Sequence, residues 1–312
     1  MKTDLRCSLY VLVSAAAAAG GLLLTEIALN FYAATTLQIA FLANIVGGIF
    51  LLLPCLRGSR PWQGWPPREW LRFAVSSVAI YAAGFVLLYA AISHVGASKF
   101  ILLGRVEVIF VVALAVIFLG ERWSARHWFA TFLALAGAIL ISFDPAVLQL
   151  AFSWGDGLTL LSSLVVAAGI VILKPLVVRR DPQFVTGLGL LAGAACLGPF
   201  LLLGMGEPEI SILAAGPLLM VLMVIRGMLL GLSWAAYNAA MRHIGASRCA
   251  VLFLSVSFLT VALQVLVDAI APGLGLRIPV NLETAVAGGA VISVAVALVQ
   301  RHPGGGSARR MN

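Results

Sequence analysis

Charged residues are scarce in this chain of 312 residues. Only 10% of the residues are Asp, Glu, Lys or Arg and 62% are apolar, whereas soluble domains have about 25% and about 45–50% respectively. A soluble protein could not hide so much apolar surface, because folded proteins still need a largely polar exterior. The mean hydropathy of +1.07 agrees. The scarcity of charge therefore excludes a soluble protein and predicts an integral membrane protein.

Cysteine is also rare, and the usual catalytic motifs are missing. The four cysteines are scattered without metal-ligand spacing, which argues against a disulfide framework and a metal site. The sequence contains no GxxxxGK[ST] segment, so this chain is not expected to hydrolyse ATP. It also lacks a His-x-x-x-His pair and a catalytic serine elbow. We therefore expect no cofactor and no enzymatic activity.

Ten apolar runs are long enough to cross the hydrocarbon core, which takes about 20 residues of helix. They cover residues 8–29, 33–53, 72–92, 97–119, 127–143, 156–174, 183–204, 213–240, 246–269 and 281–299. None alternates in polarity as the strands of a membrane barrel do. The first run is long for a signal peptide and has a counterpart later in the chain, so we expect it to be retained. The sequence predicts an all-α integral membrane protein with ten transmembrane helices.

The basic residues are concentrated on one side of these helices. With the N-terminus inside, the cytoplasmic segments hold Lys2, Arg6, Arg57, Arg60, Arg68, Arg72, Arg122, Arg126, Lys174, Arg179, Arg180, Arg242, Arg248, Arg301, Arg309 and Arg310. The opposite segments hold only Lys99 and Arg277. The outer loops are expected to carry Glu26, Asp144, Asp156, Glu207, Glu209 and Glu283. This distribution predicts a multi-pass protein of the bacterial inner (plasma) membrane with both termini cytoplasmic.

The net charge of +8 is explained by this orientation, so we expect no nucleic-acid partner. Trp62, Trp65 and Trp70 flank a basic loop and are interpreted as an interfacial anchor. Lys174, beside a proline near the end of the sixth run, is interpreted as a charge that snorkels to the membrane surface. Glu121 is interpreted as part of a cytoplasmic corner.

An internal repeat relates the two halves of the chain. Residues 89–99, YAAISHVGASK, align with residues 238–248, NAAMRHIGASR, at an offset of 149. The same offset pairs Ser14 with Ser163. Each copy holds five spans, and because five is odd the copies must enter the membrane in opposite orientations. The sequence therefore predicts two inverted five-helix repeats, residues 1–150 and residues 151–312, the second with a short cytoplasmic tail. Such repeats are typical of secondary transporters.

Several short motifs resemble those of the drug/metabolite transporter superfamily, specifically its EamA-type members with ten helices. They are Gly96-Ala97-Ser98, the run from Glu107 to Leu119 followed by Gly120-Glu121-Arg122, Gly137-Ala138, Gly245-Ala246-Ser247 and Gly288-Gly289. The resemblance covers residues 8–299. It implies that helices 1–4 and 6–9 line a central cavity, that helices 5 and 10 are peripheral, and that transport is coupled to protons or another gradient.

The chain departs from that family pattern in two places. The first helix lacks the tryptophan and asparagine often found there. The fourth helix carries Arg105 and Glu107 where relatives often have a proline.

Polar side chains near the middle of the apolar runs are candidate substrate-binding residues, because charge inside a bilayer is costly and usually functional. Near the centre lie Asn44, Tyr81, Arg105, Glu107, Arg226 and Ser257, while Ser233 and Tyr237 share a helix face with Arg226 and Gln264 shares one with Ser257. Beside Arg226, Gly227 and Gly231 form a GxxxG motif that would let a neighbouring helix approach closely.

Three of these residues indicate how a substrate or a proton would be bound. Arg226, together with Arg105, would hold a substrate carboxylate, which a guanidinium matches with two parallel hydrogen bonds. Glu107 would bind a substrate amine or carry a coupling proton. Alternatively, Arg226 and Glu107 pair with each other and fasten two helices together.

These residues favour a secondary carrier that exports small polar metabolites, such as amino acids or their derivatives. Two alternatives stay open, an importer or exchanger of a cofactor-sized metabolite in the same fold and a polytopic membrane enzyme acting on lipids. The expected partners are a small-molecule substrate, the lipid bilayer and protons as coupling ion. We expect the chain to act as a monomer or homodimer.

Overall fold

The structure is a computed structural model that describes residues 2–32, 35–55, 63–95, 103–142, 153–204, 216–271 and 282–301. Within these ranges every regular element is helical. The prediction of an all-α protein is therefore confirmed. The motif Gly96-Ala97-Ser98 and the outer-loop residues Lys99, Asp144, Glu207, Glu209 and Arg277 lie outside the described residues.

The described residues form ten helices. The first five are α1 (Lys2–Tyr32), α2 (Thr36–Cys55), α3 (Pro67–Val78, Ala79–Ala83 and Gly84–Val95), α4 (Glu107–Leu119) and α5 (Ala125–Ser142). The second five are α6 (Trp154–Arg179), α7 (Pro182–Leu202), α8 (Pro217–Ile244), α9 (Ala246–Phe253 and Ser255–Ile270) and α10 (Leu282–Arg301). Seven of these ten are long and apolar enough to cross a membrane, and α4, α5 and α10 are shorter apolar helices.

Local sequence explains where several helices begin and end. Ser153 and Asp156 form a reciprocal capping box at the start of α6, each side chain accepting a hydrogen bond from the other residue's backbone N–H. Asp181 caps α7, which begins with a proline. Gly120 ends α4 in the left-handed conformation, with φ +64°, which a glycine adopts without strain.

The two repeats pack crosswise through matching hydrogen bonds. The Ser14 hydroxyl on α1 donates to the backbone carbonyl of Ser233 on α8 at 2.7 Å. The Ser162 hydroxyl on α6 donates to the backbone carbonyl of Gly84 on α3 at 3.0 Å. Gly84 and Ser233 are 149 residues apart, the offset of the sequence repeat. The first helix of each repeat thus packs against the third helix of the other, which agrees with an inverted repeat.

Glycines bring the helices of the two repeats into close contact. A Cβ atom at Gly47 of α2 would lie 2.7 Å from the carbonyl oxygen of Gly227 on α8, and one at Gly231 would lie 3.0 Å from the carbonyl oxygen of Gly47. The close approach predicted from the GxxxG motif is therefore confirmed, and α2 is the neighbour. Between α5 and α10, Gly137 and Gly288 approach in the same reciprocal way, at 2.8 and 2.6 Å. Close backbone packing of this kind is how helices associate in a lipid environment.

Two helices break at equivalent places. Regular α-helix is interrupted at Arg105 and Val106 just before α4 and at Leu254 within α9. Arg105 and Leu254 are again 149 residues apart. Val106 and Leu254 have closely similar backbone angles, φ −62° and ψ −20° against φ −58° and ψ −20°. Discontinuous helices near the bilayer midplane are a feature of transporter binding sites.

The tryptophan anchor predicted from the sequence is wrong for Trp65. Its ring is 7% exposed and packs against Phe73 and Phe184 at centroid distances of 5.9 and 6.0 Å. The Arg180 guanidinium lies 5.5 Å from the ring centre. Trp65 therefore packs between α3 and α7 and does not anchor the chain at the membrane surface. Trp70 is 40% exposed, and Trp62 lies outside the described residues.

Replacing Gly47 with alanine should destabilise the protein by about 1–3 kcal/mol, because the added methyl group would overlap the Gly227 carbonyl of α8. The unfolding midpoint of the purified protein in detergent measures the effect. Gly198→Ala on α7 is the matched control, since its new Cβ atom would meet Phe41 at 3.6 Å, an ordinary contact. Equal midpoints for the two variants would contradict the close packing of α2 on α8.

Candidate functional site

Arg226 lies against a face of α1 that has room for its guanidinium. Its Nε atom donates a hydrogen bond to the Thr25 hydroxyl at 2.8 Å. A Cβ atom at Gly21, one turn earlier on α1, would lie 3.2 Å from Arg226 Nη1. The arginine side chain is partly exposed. We call Gly21, Thr25, Glu26, Arg226 and Gln264 the Arg226 cluster.

Glu26 and Gln264 extend this cluster from α1 to α9. The Gln264 amide donates to Glu26 Oε2 at 2.8 Å. The expectation that Glu26 belongs to an outer loop is wrong, because α1 continues to Tyr32 and places Glu26 inside the helix. The face of α9 that carries Gln264 therefore contacts α1 at this point. The sequence predicts Gln264 as a binding residue but gives no sign of its contact with Glu26.

Arg226 and Glu107 do not form an ion pair. Among the residues that the structure describes, the hydrogen-bond partner of Arg226 is Thr25, and no carboxylate lies within ion-pair distance of its guanidinium. The alternative that these two side chains fasten helices 4 and 8 together is therefore not the arrangement found. None of the described acidic side chains therefore balances the charge of Arg226.

Glu107 is the first residue of α4, directly after the helix break. Arg105 lies two residues earlier, within the break itself. The Nε atom of Arg105 is buried and has no hydrogen-bond partner in the described part of the chain. One charged residue thus lies within the helix break and a second directly follows it. This arrangement differs from that of an uninterrupted helix, which the sequence predicted here.

Aromatic rings connect the predicted residues Tyr81 and Tyr237. Trp234 of α8 lies between them, with edge-to-face ring contacts at 5.3 Å to Tyr81 and 5.8 Å to Tyr237. Phe253, beside the break in α9, contacts Tyr237 at 5.5 Å. Each of these arrangements is favourable for aromatic pairs. The rings form a continuous wall from α3 through α8 to α9, across the boundary between the repeats.

Asn44 and Ser233 make contacts between helices, and Ser257 is buried. The Asn44 amide donates at 3.2 Å to the Tyr81 carbonyl in the π-helical turn of α3, a kind of turn found frequently at functional sites. The Ser233 carbonyl accepts from Ser14, as described above, and its hydroxyl lies 3.2 Å from the Ser14 hydroxyl. Ser257 is 3% exposed, and its hydroxyl has no partner in the portion of the chain described. The structure therefore does not bring these three together with Arg226.

Asn238 joins the aromatic wall to α7. Its amide donates to the Thr186 hydroxyl at 2.8 Å. Two further polar atoms belong to this part of the wall, the Asn238 Oδ1 atom and the Tyr81 hydroxyl oxygen. Both atoms are buried and, within the described residues, without a hydrogen-bond partner. Buried polar atoms of this kind are usually satisfied by water or a ligand.

A second polar contact joins the repeats at the end of the molecule where α4 ends and α9 begins. The Glu121 carboxylate pairs with Lys174 of α6. It also accepts hydrogen bonds from the backbone N–H groups of Ala246 at 2.8 Å and Ser247 at 3.1 Å, at the start of α9. Gly245 precedes them with φ +90°, and a Cβ atom there would lie 2.9 Å from the carboxylate. We call Glu121, Lys174, Ala246 and Ser247 the Glu121 clasp.

The Glu121 clasp corrects the interpretation of Lys174 and adds a contact to that of Glu121. Lys174 does not snorkel but pairs with Glu121, with side-chain exposures of 17% and 14%. Glu121 itself is an N-terminal cap of a helix in the other repeat, a favourable place for a negative charge. Burial raises the pKa of Glu121, but the charge of Lys174 and the hydrogen bonds from Lys174, Ser247 and Ala246 outweigh it. The pKa therefore lies below its ordinary value.

Together these features define a class of protein. The chain is a polytopic helical membrane protein whose two halves pack crosswise, with polar and aromatic groups collected between them and broken helices at equivalent positions. Inverted repeats around a shared central region are the architecture of secondary transporters.

The family is shown by comparison of the sequence with known families. The profile of the EamA-like transporter family matches residues 5–143 and 153–274. The chain belongs to this family of membrane transporters, in which each half of the protein is one copy of the repeat. No curated protein matches the chain.

The fold is shared with solved structures. A protein of known crystal structure superimposes with a TM-score of 0.75 over 94% of this chain and 96% of its own, at 15% sequence identity. At this identity the similarity shows the fold alone. It supports the arrangement of all ten helices as one unit.

Glu121→Gln should lower the free energy of unfolding by about 1.5–3 kcal/mol at neutral pH, because the charged hydrogen bonds to Lys174 and α9 are weakened. The folded-state pKa of Glu121 is depressed, so this contribution is complete above the ordinary glutamate pKa of about 4.3. It is lost as the pH falls through the lower folded-state value.

Thermal unfolding of the wild type and the variant in detergent between pH 3 and pH 7 measures this effect. Arg122→Gln, which changes the exposed neighbouring residue, is the control and should unfold like the wild type. A difference between wild type and Glu121→Gln that does not shrink in acid would contradict the role given to the carboxylate.

Proposed function

We propose that this transporter exports small polar metabolites that carry a carboxylate, such as amino acids or their derivatives. The observation that carries the proposal concerns Arg226, a half-buried residue whose guanidinium is held by a hydroxyl group rather than by a described carboxylate. A cation inside the membrane without an opposite charge is costly. A substrate carboxylate would supply that charge and would therefore be bound at this position.

The two repeats, residues 1–150 and residues 151–312, are the units that we propose to move during alternating access. The Glu121 clasp joins them at one end through a charged pair and a helix cap. The Arg226 cluster joins them nearer the other end through the hydrogen bonds from Arg226 to Thr25 and from Gln264 to Glu26. Opening to the cytoplasm would break the Glu121 clasp, and opening to the outside would break contacts in the Arg226 cluster.

The membrane orientation belongs to the same proposal. The segments rich in Lys and Arg, including the start of α3 and the junction of α6 and α7, would face the cytoplasm of a bacterial inner membrane, with both chain termini. The Glu121 clasp would then close the cytoplasmic side. The substrate, the surrounding lipid and protons are the proposed partners, and the working unit would be a monomer or homodimer.

Glu107 is the proposed carrier of the coupling proton. It lies at a helix break, two residues after Arg105. A carboxylate in such a place can exchange its charge for a proton as the surroundings change between states. Protonation would remove the negative charge two residues from Arg105 and allow the flanking segments to rearrange.

The direct test measures uptake of labelled amino acids into proteoliposomes that contain the purified chain. If the chain exports its substrate by proton antiport, a vesicle lumen more acidic than the bath should stimulate uptake of the labelled amino acid. Stimulation by the opposite gradient would instead favour an importer, and uptake that requires an internal substrate would favour an exchanger. Absence of both a substrate signal and a gradient effect would contradict the proposal.

Arg226→Ala should abolish uptake, by about 100-fold or more, while the protein still inserts and folds, because the substrate carboxylate loses its charged partner. Uptake in proteoliposomes and the unfolding midpoint in detergent are measured on the same preparation. Arg242→Ala removes an exposed arginine near the end of the same helix and should keep full uptake. Full activity of Arg226→Ala would refute the assignment.

Glu107→Gln should abolish the stimulation by a proton gradient while exchange of labelled for unlabelled substrate continues, since the neutral side chain can no longer gain and lose a proton. Both rates are measured in the same proteoliposomes. Glu283→Gln on α10, an exposed position, should retain the stimulation. A gradient effect that survives in Glu107→Gln would show that another residue carries the coupling proton.

A further inference from the structure

The Thr25 hydroxyl has a fixed role in its contact with Arg226. Its single proton is donated to the backbone carbonyl of Gly21 at 2.9 Å, within α1. Its oxygen accepts the Arg226 Nε–H at 2.8 Å. Because the proton is already committed, the hydroxyl can only accept from the arginine. The direction of the Nε–H bond, and with it the plane of the guanidinium, is therefore set by α1.

Gly21 provides the space that this arrangement needs. A Cβ atom at this position would lie 3.2 Å from Nη1 and 3.4 Å from the central carbon Cζ of Arg226. These distances are tighter than most real contacts of a Cβ atom, so a side chain here would displace the guanidinium. The glycine thus lets the flat group lie directly against the backbone of α1.

The remaining donors of Arg226 lie on one edge. Within the described residues, hydrogen bonds are found to Nε but none to Nη1 or Nη2. A carboxylate binds an arginine through two parallel N–H···O bonds, either side-on through Nε and one Nη or end-on through both Nη atoms. With Nε occupied by Thr25, only the end-on mode remains. Gln264 meanwhile holds the Glu26 carboxylate toward α9.

We infer that Thr25 and Gly21 position the Arg226 guanidinium so that its two Nη atoms receive the substrate carboxylate end-on. This inference rests on the proposed function. Thr25 is a positioning residue, since it acts on the substrate through Arg226. It determines specificity because it restricts the site to ligands whose two oxygens can meet one guanidinium edge, as those of a planar carboxylate do.

Thr25→Val tests the inference, since valine has nearly the same shape but cannot accept a hydrogen bond. With the labelled amino acid that the wild type carries fastest, KM should rise about three- to tenfold, and kcat should change less than twofold. Thr25→Ser should restore the wild-type KM. Thr131→Val is the matched control, because among the described residues the Thr131 hydroxyl bonds the backbone of its own helix, at His127. An unchanged KM in Thr25→Val would overturn the inference.

A second measurement needs no substrate. The Nε–H resonance of Arg226 in nanodiscs containing ¹⁵N-labelled protein is identified by its loss in Arg226→Lys. Thr25→Val should shift this resonance and speed its exchange with water, and Thr25→Ser should leave both unchanged. A resonance insensitive to Thr25→Val would refute the positioning role. If the wild type carries none of the amino acids, the proposed function fails, while the resonance still decides whether Thr25 orients Arg226.

Discussion

The architecture depends on the crosswise contact of the two repeats, in which a serine from the first helix of each bonds a carbonyl on the third helix of the other. Lipid tails are as apolar as the helix surfaces, so burial alone does not hold such helices together. Close backbone approach supplies the attraction instead, and Gly47 and Gly227 permit it between α2 and α8. Each repeat packs against the other, so the polar groups at their boundary are contributed by both repeats.

The boundary is built differently toward its two ends. At one end the Glu121 carboxylate combines an ion pair to α6 with capping of α9, so opening there must separate charges. Toward the other end Arg226 and Gln264 meet α1 through hydrogen bonds. The position that corresponds to Lys174 by the repeat offset is Thr25, a neutral residue. Within the described residues the first contact includes an ion pair, whereas Arg226 in the second has a hydroxyl partner and no carboxylate at ion-pair distance.

Helix positions and the inverted repeat could be predicted because apolar length and the 149-residue offset depend only on sequence. The break before Glu107 could not, since it leaves the apolar run intact and is visible only in the backbone. The sequence predicts Arg226 as a site residue because a charge within an apolar run stands out, whereas the Thr25 hydroxyl is inconspicuous there. Its importance comes from a contact across 201 residues of sequence, which no local pattern records.

The central claim is that the Arg226 guanidinium holds the carboxylate of the transported molecule between α1 and α8. The most direct measurement is an experimental structure of the protein in nanodiscs with the transported amino acid bound. The account predicts density for a carboxylate within hydrogen-bond distance of both Nη atoms of Arg226, with Nε still bonded to Thr25. A bound substrate elsewhere, with Arg226 paired instead to Glu107 or another side chain of the protein, would contradict it.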